Sequence, residues 1–165
     1  MKKSTFLILL IVFVLSVVVV GIFGMKIMSY NVKVYIEEIT PTDVVLNDDN
    51  NTTYRYYPNG NTTDKNQIRK HPTQANTYYV VVAYRQDLAL IIDYEITPND
   101  STNRNLKITI TSDSKGGVDG ASVTESNSIT LDKNKVIFKQ KADVEITFRS
   151  TDGSNKTMKL AIYMQ

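Results

Sequence analysis

Hydrophobic and polar positions fall along this chain in two regimes. From Thr5 to Gly24 (TFLILLIVFVLSVVVVGIFG) apolar residues run without a charge or a proline. At about 1.5 Å of rise per residue, roughly 20 helical residues cover the ~30 Å hydrocarbon core of a bilayer. Lipid offers no partner to peptide N–H and C=O groups, so the run must be helical despite the β-branched Val17 to Val20. Beyond about Asn31 the pattern changes to alternation with a period of two, which is the signature of half-buried strands.

That alternation predicts about eight strands and no further helix. Asn31 to Ile39 sets Val32, Val34 and Ile36 against Lys33, Tyr35 and Glu37, and Thr40-Pro41-Thr42-Asp43 ends it. Thr77 to Tyr84 and Asp87 to Thr97 are the next clear runs, and Arg85-Gln86 between them predicts a tight hairpin. Leu88, Leu90, Ile92, Tyr94 and Ile96 share one face, with Asp93 and Glu95 towards water. Leu106, Ile108 and Ile110 repeat the pattern. Ala121 to Thr124 offers a short strand inside a glycine-bearing loop, Asp113 to Asn127. Ser128 to Leu131 and Lys135 to Lys139 flank the turn Asp132-Lys133-Asn134. Val144, Ile146 and Phe148, then Met158, Leu160 and Ile162, form a last pair around Asp152-Gly153, a strong hairpin signal because glycine tolerates positive φ. Short strands at this spacing predict an antiparallel β-sandwich.

Residues 47–76 stand apart. They hold NDDNNTT, YRYYPNGNTTDKN and IRKHPTQAN, polar stretches with a turn signal at Pro58-Asn59-Gly60 and a short candidate strand at Tyr54 to Tyr57. A polar stretch of this length reads as an insertion with its own hairpin or as a functional excursion.

Charge orients the chain. Lys2 and Lys3 precede the apolar run and no charge follows it until Lys26. The positive-inside rule places residues 1–4 in the cytoplasm, a signal-anchor helix at 5–24, a juxtamembrane link at 25–31 and a domain at 32–165 outside. A cleaved signal peptide is the alternative, but the apolar run is long for one and no Ala-x-Ala pattern follows it. A lipoprotein is excluded, since the chain has no cysteine. With Lys2 and Lys3 set aside, the 19 basic residues fall level with the 17 acidic ones. A neutral outer domain argues against nucleic acid as partner.

From Leu88 to Met164 the order of signals resembles the group 2 bacterial immunoglobulin-like domain of intimin- and invasin-type surface proteins. Three pieces carry the resemblance. Tyr94 to Arg104 (YEITPNDSTNR) resembles the family's strand followed by Pro-x-Asp-Ala-Thr-Asn-Lys. Ile129 to Phe138 resembles its short central hairpin. Ala142 to Thr147, running on to Thr151-Asp152-Gly153-Ser154, resembles its Gly-x-Ala-x-Ile-Thr and closing hairpin. Ala142 stands where the family has glycine, and Ile108 where it has tryptophan. The resemblance implies an immunoglobulin-like sandwich used for surface adhesion or spacing, with no catalytic residues.

Candidate chemistry is sparse. His71 is the single histidine, and no nucleophile motif accompanies it. One histidine and no cysteine give no zinc set. Asn47-Asp48-Asp49-Asn50 is oxygen-rich but lacks the spacing and the glutamate of a calcium loop. No cofactor, metal or catalytic residue is therefore expected. Tyr54, Arg55, Tyr56 and Tyr57 have the composition of a binding hot spot and form the candidate partner patch. Asn51, Asn61 and Asn155 head Asn-x-Thr triplets, which matter only in a glycosylating host.

The expectation is a single-pass protein of the bacterial cell membrane. Residues 5–24 lie in lipid, and an all-β, immunoglobulin-like domain outside acts in adhesion, binding or surface scaffolding through a protein or cell-surface partner. An accessory subunit of a membrane complex and a pilin-like filament subunit are the alternatives.

Overall fold

The structure, a computed structural model, describes residues 3–30, 32–60, 63–119 and 123–165. Lys2, Asn31, Asn61 and Ala121, which enter the expectations above, lie outside the described residues. The chain divides into two units, residues 1–33 and 34–165.

The first unit is one helix, α1 (Lys3–Tyr30, 28 residues). Within it Ser4–Phe23 is long and apolar enough to cross a membrane. Its large apolar side chains from Phe6 to Phe23 are exposed on every side of the helix. The Ser16 hydroxyl donates to the Phe13 carbonyl (2.7 Å) one turn back. The helix does not stop at Gly24. It runs on into the juxtamembrane link, because nothing from Met25 to Tyr30 is a proline or glycine that would break it.

The second unit holds ten strands among the described residues. They are β1 (Glu38–Leu46), β2 (Thr53–Tyr56), β3 (Gln67–Lys70), β4 (Thr77–Val82), β5 (Ala89–Thr97), β6 (Leu106–Asp113), β7 (Ile129–Asp132), β8 (Lys135–Phe138), β9 (Val144–Ser150) and β10 (Thr157–Met164). Hydrogen bonding runs in the order β6-β9-β10-β4-β3-β2-β1-β5-β8-β7. The two end strands meet a common strip: Ile110 N–H donates to the Val123 carbonyl (2.8 Å) and Leu131 N–H to the Thr124 carbonyl (2.7 Å). Bridges at Ile110/Val123 and Glu125/Thr130 make residues 123–126 a clasp between β6 and β7. Each outer strand is thereby met at its middle, which interrupts an edge that could otherwise pair with other chains.

The inward positions of the strands form one core. Val44, Val80, Leu90, Ile92, Val136, Ile146, Phe148, Leu160 and Ile162 are fully buried. Tyr94 of β5 meets Phe148 of β9 edge-on at 5.3 Å, so the two layers touch through rings. No buried side-chain nitrogen or oxygen among the described residues lacks a hydrogen-bond partner. The loop ahead of β7 is held by Asp113, whose carboxylate accepts from the Ser126 hydroxyl (2.6 Å), the Ser128 N–H (3.0 Å) and hydroxyl (3.0 Å), and the Lys115 N–H (2.7 Å).

The extended segment before β1 is stitched to two loops. Val34 exchanges bonds with Thr102, through its N–H to the threonine hydroxyl and its carbonyl from the threonine N–H (both 2.9 Å). Ile36 is buried, and its N–H donates to Asp152 in the β9–β10 turn (2.5 Å).

Several expectations hold and several change. The hairpins β7–β8 and β9–β10 form where the turn residues place them, and the β5 face is as read. The first strand lies later than expected, at Glu38–Leu46, and passes through Pro41. A bulge between Pro41 and Val44 absorbs the proline, and β2 pairs with β1 only from Asp43 to Val45, so one flank is open at Pro41. The expected β4–β5 hairpin is absent. β4 bonds to β3 and β10, while β5 bonds to β1 and β8, so the chain crosses from one layer to the other through the fully buried Leu88. Two pairings are parallel, β4 with β10 and β2 with β3, where an antiparallel sheet was expected. Residues 47–76 are not an excursion from the sheet: they supply β2 and β3, which join its halves.

Candidate binding surface

β2 divides the four residues of the expected partner patch. Alternation sends Tyr54 and Tyr56 inward and Arg55 outward. Tyr54 is a core residue, and burial, followed by the charge of Asp48, raises its hydroxyl pKa. Tyr56 is half-buried and packs edge-on against Tyr78 at 5.0 Å. Tyr78 is fully enclosed, and its phenol is pushed up to about 12, first by burial and then by Tyr56 and Glu38. Arg55 instead donates from Nε to Asp43 (2.9 Å) across β1, which favours its charged form. Tyr57 lies just beyond the strand and donates its hydroxyl to Asp64 (3.2 Å). The four side chains therefore do not share a face: Tyr54 belongs to the core and Tyr56 packs against it.

β3 makes the more open surface. Its first half pairs with β2 in parallel (Arg55 with Gln67, Tyr56 with Ile68), and its second half pairs with β4 antiparallel (Arg69 with Tyr79, Lys70 with Tyr78). Ile68 is buried, so Gln67 and Arg69 face out. A strand that changes partners along its length must diverge from each in turn. One notch of about 370 Å³ opens between β3 and β4, beside Lys65, Gln67, Arg69, Tyr79, Val81 and Ala83. A second, of about 410 Å³, opens between β2 and β3, beside Tyr57, Pro58, Gly60, Arg69, Lys70 and Tyr79. Gln67, Arg69 and Tyr79 border both. Tyr79 also contacts Tyr163 of β10, with ring centres 6.1 Å apart. Of the expected patch, Tyr57 joins this surface outright, Tyr56 borders the second notch and Tyr54 lines the floor of the first. Arg69 and Tyr79 were not singled out from sequence. The alternation of TYYVVV turns Tyr79 outward and was legible, whereas nothing around IRKH announces a strand.

The remaining candidates have local duties. His71 Nδ1 accepts from the N–H groups of Thr73 (3.3 Å) and Gln74 (3.2 Å), so the ring caps a turn. Asp48 accepts from the N–H and hydroxyl of Thr52 and faces Arg85 at 3.6 Å, closing the β1–β2 turn. These donors, the Thr52 side chain first, lower its pKa. Among the described residues no cluster of three or more His, Cys, Asp or Glu side chains could hold a metal ion. Asn51 and Asn155 both sit at positive φ (45° and 56°), in turns.

No protein-family model matches this chain, and no curated protein or solved structure matches it significantly.

Proposed function

We propose that this is a single-pass membrane protein that holds an immunoglobulin-like β-sandwich at a bacterial cell surface, where it works by contact. The observation that carries the reading is the apolar stretch Ser4–Phe23 of α1, exposed on every side, on a chain whose other unit has a core of its own. Lys2 and Lys3 before the helix favour an inside amino terminus and a domain outside.

The immunoglobulin-like reading is supported by strand order. β5, β8 and β7 are consecutive in one half and β6, β9 and β10 in the other, with β1 against β5 and β4 parallel to β10. Taking β1 and β5 to β10 as A to G, this gives ABED beside CFG, the immunoglobulin arrangement. The resemblance to the group 2 bacterial domain agrees with that order and remains part of the proposal. A surface of tyrosine and arginine around β3, with its histidine and aspartate neighbours occupied in turns, suits binding rather than turnover.

The test is made on intact cells producing the full chain. External protease should remove the domain and leave a membrane-embedded fragment, and surface crosslinking should yield defined adducts. A mature protein beginning near residue 25 and released into the medium would overturn the tether. A domain shielded from protease until the membrane is opened would overturn the orientation.

A further inference from the structure

We infer that the notch between β3 and β4 receives an extended acidic peptide segment as an added strand. The inference names a partner for the contact role proposed above and rests on it. The argument begins with the direction of peptide groups. Gln165 N–H donates to the Val82 carbonyl and Tyr84 N–H to the Gln165 carbonyl (both 3.0 Å), so Val82 and Tyr84 turn theirs towards β10. Successive residues of a strand face opposite flanks. Val81 and Ala83 therefore face β3, as does Thr77, whose carbonyl accepts from His71 N–H (2.8 Å).

The β3–β4 ladder stops at Arg69 and Tyr79. Asn66 turns its carbonyl to Arg55 N–H (3.3 Å) of β2, so Gln67, one residue on, faces β4. The peptide groups of Gln67, Val81 and Ala83 are thus turned towards one another across the notch with no ladder between them. The facing peptide groups of this inner margin form a template for strand addition, whereas on β6 and β7 the strip at residues 123–126 already bonds to Ile110 and Thr130.

Charge selects the occupant. Lys65 and Arg69 border the notch, Gln165 lies at its far end, and no aspartate or glutamate side chain lines it. The ion pairs among the described residues are Arg55–Asp43, Arg85–Asp48, Lys139–Glu125 and Lys159–Glu145, so Lys65 and Arg69 take part in none. A guanidinium beside an open strand margin is suited to a carboxylate, which it can hold with two parallel bonds. A second copy of this chain fits less well. A two-fold pairing through the same margin would set Lys65 and Arg69 of each copy against their own kind.

Two short synthetic peptides decide the matter, one alternating glutamate with valine and one alternating lysine with valine. Each is added to the full chain in detergent micelles, and amide hydrogen exchange is followed residue by residue. The acidic peptide is expected to slow exchange at Val81 and Ala83 by about tenfold or more, and the basic peptide to leave it unchanged. In a Lys65→Glu, Arg69→Glu variant the preference should reverse. Both side chains are exposed, and should that variant still fail to fold, the two peptides on the unaltered chain decide alone. No slowing with the acidic peptide, or equal slowing with both, overturns the inference. Slowing that follows protein concentration without peptide overturns it in favour of a second copy. Surface adducts that persist in the variant on cells while its peptide binding is lost would separate this notch from the contact role, overturning the notch as the working site and leaving that role standing.

Discussion

The Asp152 carboxylate, in the turn between β9 and β10, accepts the backbone N–H of Ile36 at 2.5 Å across 116 positions of sequence. It also accepts the N–H (2.9 Å) and hydroxyl (2.7 Å) of Ser154. Burial alone would raise its pKa, but these donors and Ser150 outweigh it and hold the group at about 2, against 3.8 for an ordinary aspartate. A depressed carboxylate contributes stability that is present above 3.8 and is lost as pH falls through about 2. Asp152→Asn and Asp152→Ala should both lower the thermal midpoint at neutral pH, alanine more. The asparagine variant's deficit should shrink as pH falls from 3.8 through about 2 in an acid titration of the melt. A gap that stays constant down to that pH would show that the carboxylate's charge is not what fastens Ile36.

Asp113 does comparable work at the other end of the sheet. Ser128 is fully buried and relies on Asp113 for both its N–H and its hydroxyl. Asp113→Ala strands those donors, at a cost of about 1–3 kcal/mol for a buried unsatisfied polar group. Loss of the same carboxylate loosens Ser126, which ends the clasp over β6 and β7. Hydrogen exchange should accelerate at Ile110 and Leu131, the two donors to that clasp, before it does so at the centre of β9. Uniform acceleration would mean the loop and the core open together.

Phe148 is fully buried and meets Tyr94 across the layers. Phe148→Ala should cost about 3–5 kcal/mol, read as a shift of the urea midpoint with little change in slope. A loss below 1 kcal/mol would show that the layers close over the gap.

A charge in the middle of α1 tests its solvent. Val14→Arg places a guanidinium where lipid is proposed, at a cost of about 2.5–3.5 kcal/mol for central insertion. Alkaline extraction of membranes should then release a fraction of the chain that stays bound in the parent. Equal retention of both forms would argue that α1 is held by protein.

What could be read beforehand follows from the length of each signal. β9 and β10 are seven and eight residues long and alternate throughout, so both their faces and their hairpin were plain. β3 has four residues and one buried side chain, Ile68, which is too little for a period to show. The β4–β5 hairpin was misread for a different reason. Each run alternates correctly, but alternation says which face is inward and not which strand lies alongside, and Arg85-Gln86 is a connection between layers. The tyrosine patch failed as a unit for the same cause: Tyr54 and Tyr56 are two apart on a strand and share the buried side, and composition alone does not carry a direction.

The pairing of β4 with β10 also bears on how the protein is made. A ribosome delivers β4 some eighty residues before β10, the neighbour whose Leu160 and Ile162 complete the core beside it. Until then β4 emerges with one flank bare, and the strands before it have no interior to enclose. A chain stalled or clipped anywhere ahead of β10 lacks Leu160 and Ile162 of the core and the partner of that flank, so closure of the domain waits on the arrival of residues 157–164.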